Sequence, residues 1–156
     1  MVWFLAVWGR AEWLWLTALT VFALYASAWR YLWARKSALL ILIMVGLLAE
    51  YLVVAAGVIS FTGTDHLPPW LILLWFGFAA MALVVFTWLH QRYVLAFVAG
   101  LIFGPITYFA GVGLGAAELQ SSALVAGVTY SSMWALLMLL VVRLIALTAH
   151  KEQRYV

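Results

Sequence analysis

Residues 38–61 read ALLILIMVGLLAEYLVVAAGVISF, an apolar run of helical length broken by one carboxylate, Glu50. About 20 apolar residues at roughly 1.5 Å each cross some 30 Å of hydrocarbon, so the run is a transmembrane candidate. Period-two alternation is absent, which leaves a helix as the spanning form. Glu50 decides how the rest of the chain is read. A charge near the bilayer centre costs about 2.5–3.5 kcal/mol even on the lenient insertion scale. Glu50 must therefore face protein rather than lipid, and its neighbours must be other spans.

Those spans lie on both sides. Trp13–Trp33 precedes the run, and Trp70–Leu89, Val94–Ala117 and Ala123–Thr148 follow it. Pro68-Pro69 opens the third, where a missing N–H costs nothing. The expected fold is all-α, a single integral membrane bundle of about five transmembrane helices over residues 1–156. Composition agrees: 69% of residues are apolar and 8% charged, against roughly half and a quarter in soluble domains. The chain has no cysteine, which excludes disulfides, thiolate metal sites and S-palmitoylation. Its net charge of +3 sits beside apolar spans and marks topology rather than nucleic-acid binding.

The charged residues alternate between the two faces. Arg30, Arg35 and Lys36, then His90 and Arg92, then Lys151, Glu152 and Arg154 fall on one side. Asp65, His66 and Glu118 fall on the other. Arg30 and Arg143 snorkel toward the basic side. The positive-inside rule then puts the amino terminus outside and the carboxyl terminus in the cytoplasm, with Arg10 as the one basic residue outside. Trp3, Trp8, Trp13, Trp15, Trp70 and Trp75 are expected in the outer aromatic belt, and Trp29, Trp33 and Trp88 in the inner one. Trp134 stands mid-span. Met1–Trp8 is too short to span and is expected in the outer interface. Ala26-Ser27-Ala28 has the form of a signal-peptidase site. The apolar run continues past it, and the expectation is an uncut chain. No fixed-period repeat is visible, and five spans do not divide into the two inverted halves of common transporters.

Depth counting gives Glu50 candidate partners. Thr107 and Tyr108 lie near the middle of the fourth span, and Thr129, Tyr130, Ser131 and Ser132 in the outer half of the fifth. The candidate binding set is Glu50, Thr107, Tyr108, Tyr130 and Ser131. An intramembrane carboxylate is a functional-site hypothesis by default, although it also glues helices together. Arg143 lies deeper along the axis and is not expected to pair with it. The fourth span carries Gly100 with Gly104 and Gly111 with Gly115 at small-xxx-small spacing. It also holds Pro105, which removes a helical hydrogen bond. The expectation is a glycine-rich, proline-kinked central helix packed on most sides. No metal-ligand spacing, phosphate loop or nucleophile elbow occurs, so no metal, cofactor or catalytic residue is assigned.

The run Gly46-Leu-Leu-Ala-Glu50, then Gly57-Val-Ile-Ser-Phe61, Pro69-Trp70, Leu74-Trp75, Phe78-Ala79 and Trp88-Leu89, ends in Gly100…Gly104-Pro105-Ile-Thr-Tyr108…Gly111…Leu114-Gly115-Ala116. Over residues 46 to 117 this resembles an uncharacterised family of small multi-pass bacterial inner-membrane proteins, domain of unknown function 2878. Its most specific part is the Gly-Pro-x-Ser/Thr-Tyr core. In the family pattern an Asp stands in place of Glu50, and an Asn and a Ser stand where this chain has Leu83 and Val85. The family's amino-terminal part is usually longer. Members often neighbour cyclopropane-fatty-acid-synthase-like enzymes, which implies a lipid or envelope role.

The expected function is that of a multi-pass inner-membrane protein without enzymatic activity. It would be a partner subunit, or a binder of lipid or another hydrophobic ligand around Glu50. Its expected partners are membrane lipids and a membrane protein or a second copy, not nucleic acid. A small proton- or cation-coupled transporter is one alternative. A membrane enzyme acting on acyl chains is another, disfavoured by the lack of catalytic motifs.

Overall fold

The computed structural model describes residues 2–64 and 66–153, with side chains described through Thr148. Asp65, Lys151, Glu152 and Arg154, on which part of the expected topology rests, lie outside the described side chains. In chain order the elements are α1 (Val2–Gly9), α2 (Leu14–Ser27), α3 (Trp29–Ala34), α4 (Lys36–Ala55), β1 (Ile59–Phe61), α5 (Pro69–Val85), α6 (Tyr93–Gly113), β2 (Ala117–Leu119) and α7 (Ala123–Gln153). A 3₁₀ turn, Phe86–Leu89, extends α5.

Four helices are long and apolar enough to cross a membrane: Lys36–Ala55, Pro69–Leu89, Tyr93–Gly113 and Ala123–Thr148. The fold is an all-α membrane bundle. Large apolar side chains such as Met44, Leu48, Phe103 and Leu136 stand exposed on its flanks, as lipid contact requires and water would not allow. The expected first span is interrupted and becomes α2 and α3. Ser27 Oγ donates to Leu24 O at 2.9 Å, the carbonyl that also accepts the Ala28 N–H. Such back-bonding bends helices. Arg35 then separates α3 from α4, its guanidinium lying 3.5 Å over the Tyr31 ring.

The second and fourth spans end sooner than their apolar runs suggest. Gly57 and Gly115 adopt φ of 68° and 70°. Each is the left-handed residue just past a helix cap. Gly57 N–H donates to Val54 O and Val58 N–H to Val53 O. Gly115 N–H likewise donates to Val112 O and Ala116 N–H to Gly111 O. This is the Schellman arrangement, which satisfies the last carbonyls. Each turn releases a three-residue strand, and β1 pairs antiparallel with β2 with Ser60 opposite Glu118.

The two hairpins α4–β1–α5 and α6–β2–α7 therefore follow one plan, a repeat the sequence alone did not disclose. Glu50 and Tyr108 are separated by 58 residues, and the same step carries Gly46 onto Gly104, Gly57 onto Gly115 and Ser60 onto Glu118. The halves differ where their sequences differ. At Gly100 an added Cβ would run into the Trp134 carbonyl and 2.7 Å from Ala135 Cα, so α6 and α7 pack backbone to backbone. The corresponding residue of α4 is Leu42, buried at 1% exposure, and α4 meets α5 less extensively than α6 meets α7.

Two expectations are overturned here. The fourth span, α6, is not central. It packs chiefly on α7 and only 22% of its apolar window is buried, the least of the four. Its glycines serve one close neighbour rather than several. It runs unbroken through Pro105. Residues 2–8, expected to lie in the interface, are instead packed against the bundle. As α1 they fold back onto α2 and α5, with Ala6 and Val7 buried. Val2 Cγ1 comes within 2.9 Å of where a Gly77 Cβ would stand, about 12 Å down α5 from Pro69 at the helical rise.

Candidate functional site

Glu50 lies on the face of α4 that carries Gly46 one turn earlier, and both are buried. Glu50 is completely enclosed, at 0% exposure. The Tyr108 hydroxyl, from α6, donates to Glu50 Oε2. The Tyr130 hydroxyl, from α7, donates to Glu50 Oε1 at 3.0 Å. The phenol rings stack on each other, 3.6 Å between centroids and 18° apart. Both carboxyl oxygens are thus met by hydroxyl donors, and each such bond answers part of the cost of burying the acid. Among the described residues no basic side chain forms an ion pair with it.

One layer away, Trp75 of α5 and Trp134 of α7 stack at 5.6 Å and 14°, with Phe78 edge-on to both. Each indole is seated by a glycine of its own hairpin. A Cβ on Gly46 would overlap the Trp75 ring, and one on Gly104 would come within 2.5 Å of Trp134 Cβ. Here the first small-xxx-small pair has a defined role: Gly100 and Gly104 admit Trp134. The second pair does not work this way. A Cβ on Gly111 would make only an ordinary contact with Val7, and Gly115 is the turn residue.

Of the residues expected around Glu50, the structure brings together Tyr108 and Tyr130. Thr107 and Ser131 turn elsewhere: Thr107 Oγ1 donates to Gly104 O at 2.7 Å and Ser131 Oγ to Leu101 O at 2.9 Å. Thr107 bonds back within its own helix, whereas Ser131 reaches a carbonyl of α6, which packs backbone to backbone on α7. Arg143 is exposed and does not meet Glu50. Trp70 and Trp75, expected in an aromatic belt, are core residues at 5% and 3% exposure. Trp70 packs edge-on against Phe61 of β1. An apolar aromatic beside a proline looks the same in either setting until its neighbours are known.

Between α6 and the layer formed by α1, α2 and α5 runs a cleft of about 620 Å³. Its lining extends from Trp70, Ala116 and Ala117 at the sheet end to Phe86 and Met138 near the other. The walls are mostly apolar. Tyr108, Trp75 and Trp134 line it from the site side, so Glu50 stands one side chain behind the wall. The cleft exists because α5 and α6 barely touch, whereas α4 and α7, their counterparts across the repeat, do. Its volume is that of a ligand pocket, roughly 300–1,000 Å³. The Trp134 Nε1 and Thr17 Oγ1 atoms are buried without a hydrogen-bond partner.

A family model described as "Protein of unknown function (DUF2878)" matches residues 1–140. The likeness first seen over residues 46 to 117 therefore extends through α1 and most of α7. No functionally curated protein and no solved structure matches the chain.

Proposed function

We propose, from the premise that this chain belongs to the DUF2878 family, that it is a non-enzymatic membrane protein that holds the apolar chain of a lipid in the cleft beside α6. The observation that carries this reading is the cleft itself: long, apolar and bordered by spanning helices. A ligand there would lie along the helices and enter sideways from the bilayer, between α5 and α6. The Glu50–Tyr108–Tyr130 cluster would fix the wall that the ligand touches, since Tyr108 belongs to both. The basic residues near Arg35 and Arg92 would face the cytoplasm and the strands the outside of a bacterial inner membrane.

This assignment is favoured over the alternatives by Glu50 itself. A proton- or cation-coupled carrier needs the acid reachable by water from each face in turn, and Glu50 is fully enclosed. An acyl-chain enzyme needs a free acid or base at the substrate, and both Glu50 oxygens already accept hydrogen bonds.

The test is lipid retention. Gly111 lines the cleft, and among the described residues an added Cβ would meet Val7 Cγ1 alone, at 3.8 Å. Gly111→Leu would therefore fill the cleft without breaking the helix pair. Protein purified in mild detergent should carry co-purifying lipid visible by mass spectrometry, and Gly111→Leu should lose it while unfolding at the same temperature. Equal lipid on both proteins would refute the assignment.

A further inference from the structure

The sheet end of the cleft adjoins a second cavity of about 440 Å³, lined by Trp8, Arg10, Glu12, Thr62, Thr64 and Trp70 among others. Trp70 lines both cavities. Arg10 lines the second cavity. Its Nη1 donates to Gly115 O at 2.6 Å, the residue before Ala116 of the cleft wall. The same carbonyl accepts Thr62 Oγ1 at 2.9 Å, which ties α1, the β1 turn and the α6 turn together at one point.

Arg10 is held there against its backbone preference. Its φ is 45°, a left-handed conformation that a residue with a side chain adopts at a cost of order 1–3 kcal/mol, and such residues cluster at ligand sites. The guanidinium carries five N–H donors, and the Gly115 carbonyl takes one of its nitrogens. No acidic residue among those described pairs with it; Glu12 lines the same cavity and is exposed without bonding to Arg10. A fixed cation with spare donors, sharing a cavity with Trp8 and Trp13 whose Trp70 wall also lines the apolar cleft, has the form of a headgroup site.

We infer that Arg10 receives the anionic headgroup of a single-chain amphiphile whose tail lies in the cleft. This rests on the lipid-binding role proposed above and adds the charge and position of the headgroup. A fatty-acid carboxylate and a lysolipid phosphate share this chemistry, since both present oxygens in the plane a guanidinium can bridge.

The experiment measures binding of palmitate, lysophosphatidylglycerol and hexadecanol to the full chain in detergent by native mass spectrometry. Palmitate, the phosphate lipid or both should bind about tenfold more tightly than the neutral alcohol, the scale of one charge-assisted contact. Arg10→Gln should bring the acids down to the level of the alcohol and leave the alcohol unchanged, which also shows that the variant is folded. Preference for palmitate or for the phosphate lipid identifies the source of the anion, and either supports the assignment. Equal binding of acids and alcohol by the unaltered protein, or an Arg10→Gln variant that still prefers acids, overturns it. Alcohol binding unaffected by Gly111→Leu would instead overturn the cleft as the tail site.

Discussion

Glu50 and Tyr108 hold the same position in two successive helix hairpins, 58 residues apart, and the Tyr108 hydroxyl donates to the Glu50 carboxyl. The acid of one half is thus answered by the phenol that replaces it in the other. Tyr130, from the second hairpin, takes the remaining oxygen. The seam between the halves is therefore polar at its centre and apolar around it, so it specifies one alignment of four helices that lipid-like side chains alone would specify weakly.

Removing part of this cluster should cost more than removing all of it. Glu50→Leu leaves two phenol hydroxyls buried without an acceptor, and should lower stability by about 2–4 kcal/mol. Adding Tyr108→Phe and Tyr130→Phe removes the stranded groups and should recover most of that loss. Thermal unfolding in detergent, followed by tryptophan fluorescence, reads both. A triple variant no more stable than Glu50→Leu would show that the hydroxyls are not what the carboxyl satisfies.

The indole-seating glycines make a sharper contrast. Gly46→Ala and Gly104→Ala each place a methyl group into a tryptophan, and overpacking of this kind costs about 1–3 kcal/mol. Gly111→Ala meets only an ordinary contact at 3.8 Å and should change stability by less than about 0.5 kcal/mol. Pairing Gly46→Ala with Trp75→Leu should restore part of the loss, because the smaller side chain frees the space. Equal effects at all three glycines would mean that the stacked tryptophans do not set the helix spacing.

How much of this was legible beforehand follows from what each residue type reports. Long apolar runs report burial in lipid, and they located the four spanning helices, but they also suggested a fifth span at Trp13–Trp33 that the structure divides into α2 and α3. A lone mid-span carboxylate reports that donors must converge on it, and helical rise placed Tyr108 and Tyr130 at its depth. Depth says nothing about direction around a helix, so Thr107 and Ser131 at the same level were not separable from the tyrosines. Glycines at small-xxx-small spacing report a close approach without saying from how many sides, hence the expectation of a central α6 where the structure has a flank. The strands are three residues long and carry no periodicity. The repeat is carried by a few positions, Gly46 with Gly104 and Gly57 with Gly115, too sparse to stand out in a chain with 11 glycines.

Gly57 and Gly115 make a separate test, because neither is crowded by a bulky neighbour and both have positive φ. Ala at either position should cost about 1 kcal/mol through backbone strain alone, and Asn less, since it tolerates the left-handed region. Melting temperatures should therefore rank glycine above asparagine above alanine at each site. An alanine variant as stable as the parent would mean that the turn need not be left-handed, and the strand pairing would lose its stated cause.

The absence of native cysteine makes the strand pair and its side of the membrane directly measurable. Ser60 and Glu118 are opposite partners in the antiparallel ladder, where Cα atoms stand about 5.5 Å apart, within disulfide reach. Ser60→Cys with Glu118→Cys should form a bridge on mild oxidation, while Ser60→Cys with Lys36→Cys, separated by the length of α4, should not. The single cysteines then report orientation. With the basic ends inside, a thiol reagent that does not cross membranes should label Glu118→Cys in intact cells and Lys36→Cys only after permeabilisation. The reverse pattern would invert the molecule, and Arg10 with its cavity would then face the cytoplasm, so the headgroup would be drawn from the inner leaflet instead of the outer one.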